Sequence, residues 1–200
     1  HLIDHVLRDG NQTLLLVPEI ALTTQLTERL QRVFGTRVLI YHSKFSDAER
    51  MEVWQKLLGS NEPCVVIGAR SSVFLPFARL GLVIVDEEHE TSYKQADPAP
   101  RYNGRDTAIV LAAMHGAKTL LGSATPSVET YYKATTGKFG LVTLSERYGG
   151  GSLPPIEVID LNREFERGAT TGTFADHTVM EARKVLAAGH QVIFFHNRRG

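Results

Sequence analysis

Apolar runs of four to six residues alternate with amphipathic stretches along this chain. The runs at 13–17, 37–41, 64–67, 82–85, 118–121 and 141–144 predict buried strands. Continuous apolar runs, rather than strict alternation, fit a parallel sheet covered on both faces. Helical spacing fills the intervals. Residues 22–34 put Leu22, Leu26, Leu30, Val33 and Phe34 on one stripe, and Gly35 ends it. Ser46 and Glu49 have capping-box spacing for a helix over 47–58, closed by Gly59. Further helices are predicted over 105–115 and 127–136, followed by Gly116 and Gly137. Strand–helix repetition with right-handed crossovers predicts the α/β class, with an open, doubly wound parallel sheet.

Residues 145–155 interrupt this rhythm with three glycines and two prolines, as a linker or hinge does. A strand at 156–160, a helix at about 175–188 and a strand at 191–195 are predicted beyond it. The expected organisation is a lobe over 1–144, a hinge over 145–155, and the start of a second lobe over 156–200.

Composition narrows the class. A hydrophobic fraction of 42% with 22 basic and 22 acidic residues excludes a disordered chain. Zero net charge means that any nucleic-acid binding must come from a local site, not from bulk charge. The single Cys64 excludes an internal disulfide and a multi-cysteine zinc site in this chain, and suits a reducing compartment. His1 and His5 have helical i,i+4 spacing but no third ligand nearby, so no metal is expected there. Val53, Trp54, Leu57 and Leu58 are expected to pack one helix face. No apolar run approaches the ~20 residues of a membrane helix. The chain starts at His1 inside a helical pattern and stops at Arg198-Arg199-Gly200 after a strand-like run. It is expected to be the central segment of a longer protein.

The chemistry concentrates at strand ends. Asp86-Glu87-Glu88-His89 follows the apolar run 82–85. In open α/β sheets, ligands bind beyond the carboxyl ends of strands. Asp86 there can hold a magnesium ion, and Glu87 can polarise the water that attacks a γ-phosphate. The same four letters also fit an acidic surface turn. Gly122-Ser123-Ala124-Thr125-Pro126 follows the run 118–121. Its hydroxyls can bridge to carboxylates of the neighbouring strand. It also fits a plain helix start, with Thr125 as N-cap and Pro126 at the first helical position. Residues 90–104 interleave Tyr93 and Tyr102 with Lys94 and Arg101, with Arg105 just beyond. Such aromatic–cation mixtures suit unpaired bases and phosphates.

The acidic and Gly-Ser-Ala-Thr-Pro segments resemble motifs II and III of superfamily-two helicases. Pro18-Glu19-Ile20-Ala21-Leu22-Thr23 resembles motif Ia, and Gly68-Ala69-Arg70-Ser71 resembles motif Ib. The order Asp86-Glu87-Glu88-His89, Ser92-Tyr93-Lys94-Gln95, Pro100-Arg101-Tyr102, Arg105-Asp106 narrows the match. It is similar to the PriA-type replication-restart DNA helicases. Residues 191–200 are similar to motif IV of the same family.

This resemblance implies a RecA-like lobe plus the start of a second. It also implies an ATP- and magnesium-dependent 3′-to-5′ helicase acting in replication restart and primosome assembly. Catalytic roles then fall to Asp86, Glu87, Glu88, His89, Ser123 and Thr125, with Asp86 as the magnesium ligand and Asp86 and Glu87 at the nucleotide. DNA contacts fall to Thr23, Arg70, Ser71, Tyr93, Lys94, Arg101, Tyr102 and Arg105. Implied partners are single-stranded and forked DNA, primosome proteins and single-strand-binding protein. The implied setting is the bacterial cytoplasm, at the nucleoid, with no membrane.

Departures from the family pattern qualify this. The phosphate-binding Gly-x-x-x-x-Gly-Lys-Ser/Thr loop is expected before His1. Motifs V and VI and a cysteine-rich zinc module are expected after Gly200. Asn103-Gly104 is unusual for the family and predicts a looser helix start. Two other readings stay open: a nucleic-acid-binding module without catalysis, and a different α/β nucleotide enzyme such as a kinase or transferase.

Overall fold

The apolar run after residue 11 forms β1 (Gln12–Leu16), buried along its whole length. The computed structural model describes residues 1–19, 24–42, 45–146 and 154–196. They divide into two compact units, His1–Val142 and Thr143–Gly200. In the first unit β1 is joined by β2 (Val38–Tyr41), β3 (Val65–Gly68), β4 (Leu80–Val85) and β7 (Lys118–Leu121). These five strands form one parallel sheet in the order β2-β3-β1-β4-β7. A separate hairpin pairs β5 (Lys94–Gln95) with β6 (Tyr102–Asn103), antiparallel.

Alternate residues of β1 feed two cores. Leu14 and Leu16 join Val66, Val83 and Val85 against Val53 and Leu57 of α3 (Asp47–Gly59) and Ala108 and Ala112 of α4 (Gly104–Met114). Leu15 joins Val65 and Ile67 against Leu7 of α1 (Leu2–Arg8) and Phe34 of α2 (Thr24–Phe34). Helices therefore cover both faces, as continuous apolar strands require. The α/β parallel sheet is as the sequence pattern predicts. Two helix faces differ in detail: Val33, Trp54 and Leu58 are exposed. Residues 20–23, which include Leu22 of the predicted stripe, lie outside the described residues, as do residues 147–153 of the predicted hinge.

The run 141–144 forms no strand, and Leu141, Val142 and Leu144 are exposed. In the second unit α6 (Leu161–Glu166) is capped by Asp160, whose carboxylate accepts from the Asn162 and Arg163 amides. A short antiparallel hairpin of β8 (Thr170–Thr171) and β9 (Phe174–Ala175) leads into α7 (Asp176–Ala187). The strands predicted at 156–160 and 191–195 do not form. Ile156, Val158, Ile193 and Phe195 are exposed. A parallel strand takes its hydrogen bonds and its cover from neighbours. Among the described residues neither segment has a ladder partner.

Cys64 stands buried immediately before β3. Burial, with Glu62 second, pushes its thiol up to about 11. The thiolate is the reactive species. A disulfide reagent at pH 8 is expected to label Cys64 slowly in the folded protein and fully after denaturation; rapid labelling of the folded form would show that this strand opens readily.

Candidate active site

β4 ends at Val85 and delivers Asp86 to the carboxyl edge of the sheet. Backbone bonds tie the turn to the strands on either side. The Asp86 amide donates to Leu16 O at 2.9 Å, the Gly122 amide to Val85 O at 2.9 Å, and the Glu88 amide to Gly122 O at 3.0 Å. Glu87 has φ of 46°, an uncommon conformation for a residue with a side chain. Such positions concentrate at functional sites, where surrounding bonds hold them. Here the Asp86 side chain helps, accepting from the Glu87 amide at 3.1 Å.

His89 bridges the two strand-end motifs. Its Nδ1 is hydrogen-bonded to Ser123 Oγ at 2.8 Å and lies 3.6 Å from Glu87 Oε2. Its Nε2 is 3.5 Å from Thr125 Oγ1. Ser123 Oγ also donates to Glu87 Oε2 at 3.5 Å and accepts from the Thr125 amide at 2.9 Å. So Glu87, His89, Ser123 and Thr125, expected to act together, share one hydrogen-bonded cluster. Thr125 is not the helix cap. That cap is Ser127, whose hydroxyl accepts from the Thr130 amide at the start of α5 (Val128–Thr135).

Glu88 differs from its neighbours and corrects an expectation. Sequence reasoning grouped it with the catalytic residues, but it is only 2% exposed. It accepts from the Ser127 amide at 2.6 Å, Ser127 Oγ at 3.1 Å, Thr130 Oγ1 at 2.9 Å and Arg105 Nη1 at 2.8 Å. Burial pushes its carboxyl up, but the bonds from Ser127, Arg105 and Thr130 outweigh it and hold the group below the usual carboxylate range. With its oxygens so engaged, Glu88 positions the starts of α4 and α5 rather than reaching a ligand.

Arg105 is corrected with it. Its side chain is 13% exposed and bonds Glu88, Asp106 Oδ1 at 2.9 Å and Ser127 Oγ at 3.0 Å. A guanidinium so engaged is not a free fork for DNA phosphate. Tyr93, expected as a DNA-sensing aromatic, has its ring buried in the core. Its hydroxyl donates to Asp86 O at 2.6 Å. Burial first, then Asp86, Glu87 and Glu90, push its phenol up. Arg70 Nη1 donates to Ser92 O at 3.0 Å, and Ser71 is half-buried in the 3-10 turn Arg70–Phe74. Lys94 and Arg101 are exposed and Tyr102 half-buried. Thr23 lies outside the described residues.

Sequence reasoning missed Ser127 and Thr130 as ligands of Glu88. Ser127 followed by Thr130 is a visible cap spacing, but nothing in the spacing points to a carboxylate 39 positions earlier. The predicted loose start of α4 is also corrected. Asn103 Oδ1 accepts from the Arg105 and Asp106 amides, a sound N-cap.

Magnesium with a bound nucleotide needs only one or two protein carboxylates, the other ligands being phosphates and water. Asp86, exposed at the edge, and the adjacent Glu87 supply such hard oxygen donors. Among the described residues, no three His, Cys, Asp or Glu side chains gather into a metal cage. None of the described helices is long and apolar enough to cross a membrane.

The first unit is a parallel α/β sheet whose acidic turn after β4 is hydrogen-bonded to the Gly-Ser-Ala-Thr-Pro turn after β7. The DEAD/DEAH box helicase family model matches residues 1–134, and the chain belongs to that family. Along its whole length it is similar to replication restart proteins named PriA. It is 45% identical to that of Rickettsia felis, covering 100% of this chain and 30% of the relative. It is 38% identical to that of Bacillus subtilis, covering 99% and 24%. The figures for Chlamydia trachomatis are 40%, 96% and 25%. The chain thus spans less than a third of the length of these relatives.

Proposed function

We propose that this chain is the central part of an ATP-driven DNA helicase of the replication-restart type, moving 3′ to 5′ on single-stranded DNA. The carrying observation is the cluster Glu87–His89–Ser123–Thr125 at the carboxyl edge of the central strands, beside Asp86. Asp86 holds the magnesium that accompanies ATP; the ion neutralises charge that develops on the phosphates. Glu87 orients the attacking water and accepts its proton. His89 and Ser123 fix the Glu87 carboxylate and connect it to the turn after β7. Glu88 holds the frame on which these groups sit. Exposed Lys94 and Arg101 meet the DNA strand, and Tyr93 anchors their hairpin to Asp86. Residues 145–155 serve as the hinge between two lobes. Primosome proteins, single-strand-binding protein, a zinc module in the remaining length and a place in the bacterial cytoplasm at the nucleoid follow from the same reading.

One sequence feature favours a second reading for the 200 residues by themselves. They contain no Gly-x-x-x-x-Gly-Lys-Ser/Thr loop, whose amides and Lys cradle the triphosphate. Alone, the chain is then a binding module without turnover. The test compares ATP hydrolysis by the full-length protein and by this chain, with and without single-stranded DNA. Hydrolysis stimulated by DNA is expected from the first and none from the second. A full-length protein that does not hydrolyse ATP would overturn the helicase reading.

A further inference from the structure

Most of the described glycines have a positive φ, a conformation that favours glycine. At others a side chain has no room. A Cβ at Gly81 would stand 2.8 Å from Asn11 Cβ, one at Gly104 would stand 2.9 Å from Arg70 Cβ, and one at Gly68 would overlap Ser72 Oγ. Gly122, the first residue after β7, fits neither account. Its φ is not positive. A Cβ there would have Val85 O at 3.8 Å and Asp86 Oδ1 at 3.9 Å as its nearest neighbours from elsewhere in the chain, both ordinary contacts. The place of that Cβ is fixed. The Gly122 amide donates to Val85 O at 2.9 Å, and its carbonyl accepts from the Glu88 amide at 3.0 Å. On the other side, Asp86 Oδ1 accepts from the Glu87 amide at 3.1 Å. Neither group can turn away from the other without breaking a bond.

We infer that Gly122 is a positioning residue: by carrying no side chain it keeps open the space beside the Asp86 carboxylate that the water shell of magnesium needs. This rests on the nucleotide reading of the sheet edge, in which Asp86 holds the ion. Magnesium dehydrates reluctantly and usually keeps several waters beside one or two carboxylates. Those waters need room and hydrogen-bond partners. A methyl group in contact with Asp86 Oδ1 takes the room and supplies no partner. The protein chain itself leaves space for that methyl, so the effect of adding it falls on the ion and not on the frame. Glycine at this position thus sets how tightly the ion is held, although Gly122 does not touch it.

The test titrates magnesium into the full-length protein and reads the binding of a fluorescent ATP analogue, with EDTA as the ion-free arm. Gly122→Ala is expected to bind the analogue like the parent in EDTA and to melt at the parental temperature. Half of its magnesium-dependent gain in binding is expected to need about 10- to 100-fold more magnesium, the range typical of changes just outside a metal's ligands. A parental magnesium requirement would show that the ion does not use the space at Gly122, and would overturn the inference. A loss of the same size in EDTA would overturn it too, since the methyl then meets the nucleotide or the frame. A lowered melting temperature would assign the glycine to folding and sink the inference in a third way. If the parent gains nothing from magnesium, the reading of Asp86 as the ion's holder falls first and takes the role of Gly122 with it.

Discussion

Replacing Glu87 by Gln in the full-length protein is expected to lower kcat for ATP hydrolysis about 100- to 10,000-fold, the usual contribution of a positioned general base. The amide keeps the size of the side chain and can still bond Ser123 Oγ, so the turn keeps its shape. What it loses is the ability to accept a proton from water. KM for ATP and affinity for single-stranded DNA are therefore expected to change little. That split is the informative part. A variant that loses kcat and DNA affinity together would mean that Glu87 supports the frame. A variant with parental turnover would remove Glu87 from the chemistry. His89→Ala provides the contrast: it leaves the carboxylate and its bond from Ser123 Oγ and removes the bond between His89 Nδ1 and Ser123 Oγ at 2.8 Å.

The sheet was legible because buried strands are mostly apolar on both faces, and Leu14–Leu16 of β1, β3 and β4 are. The exposed strand β7 was legible as well, since Leu120 and Leu121 suffice for the pattern although among the described residues it pairs with β4 alone. The same rule misled at 141–144, 156–160 and 191–195. An apolar run states that a segment suits burial, but a strand exists only where another strand bonds it. Within the candidate site, the placement of Asp86, Glu87, His89, Ser123 and Thr125 side by side was legible because strand ends are short and chemically distinctive. Glu88 and Arg105 were misassigned for a common reason. Charged residues in a motif look alike in sequence, and only burial distinguishes a ligand-facing carboxylate from one satisfied internally. Tyr93 belongs with them: its ring type suggested stacking, and its position under the Asp86 carbonyl made it core.

Removing the Glu88 side chain is expected to be the most damaging single substitution to stability. Glu88→Ala takes one partner from a buried pair and leaves the Arg105 guanidinium, 13% exposed, with the more exposed Asp106 as its remaining counter-charge. Breaking such a pair typically costs about 3–5 kcal/mol, and the total stability of a domain is about 5–15 kcal/mol. The Ser127 amide and the Ser127 and Thr130 hydroxyls lose their acceptor too, which loosens the start of α5. Glu88→Gln keeps the shape and some acceptor capacity and is expected to cost less. The acid limb of the stability curve tests the assignment. The folded carboxyl sits below its unfolded value of about 4.3. Between those two values the unfolded chain binds the proton and the folded one does not. The contribution of Glu88 is therefore complete above about pH 4.3 and is lost as pH falls through the lower folded value. Urea unfolding between pH 3 and pH 7 is expected to show the parent losing more stability on acidification than Glu88→Gln. Parallel curves would mean that Glu88 is not ionised in its pocket, and that its bonds to Arg105 contribute no charge-dependent stability.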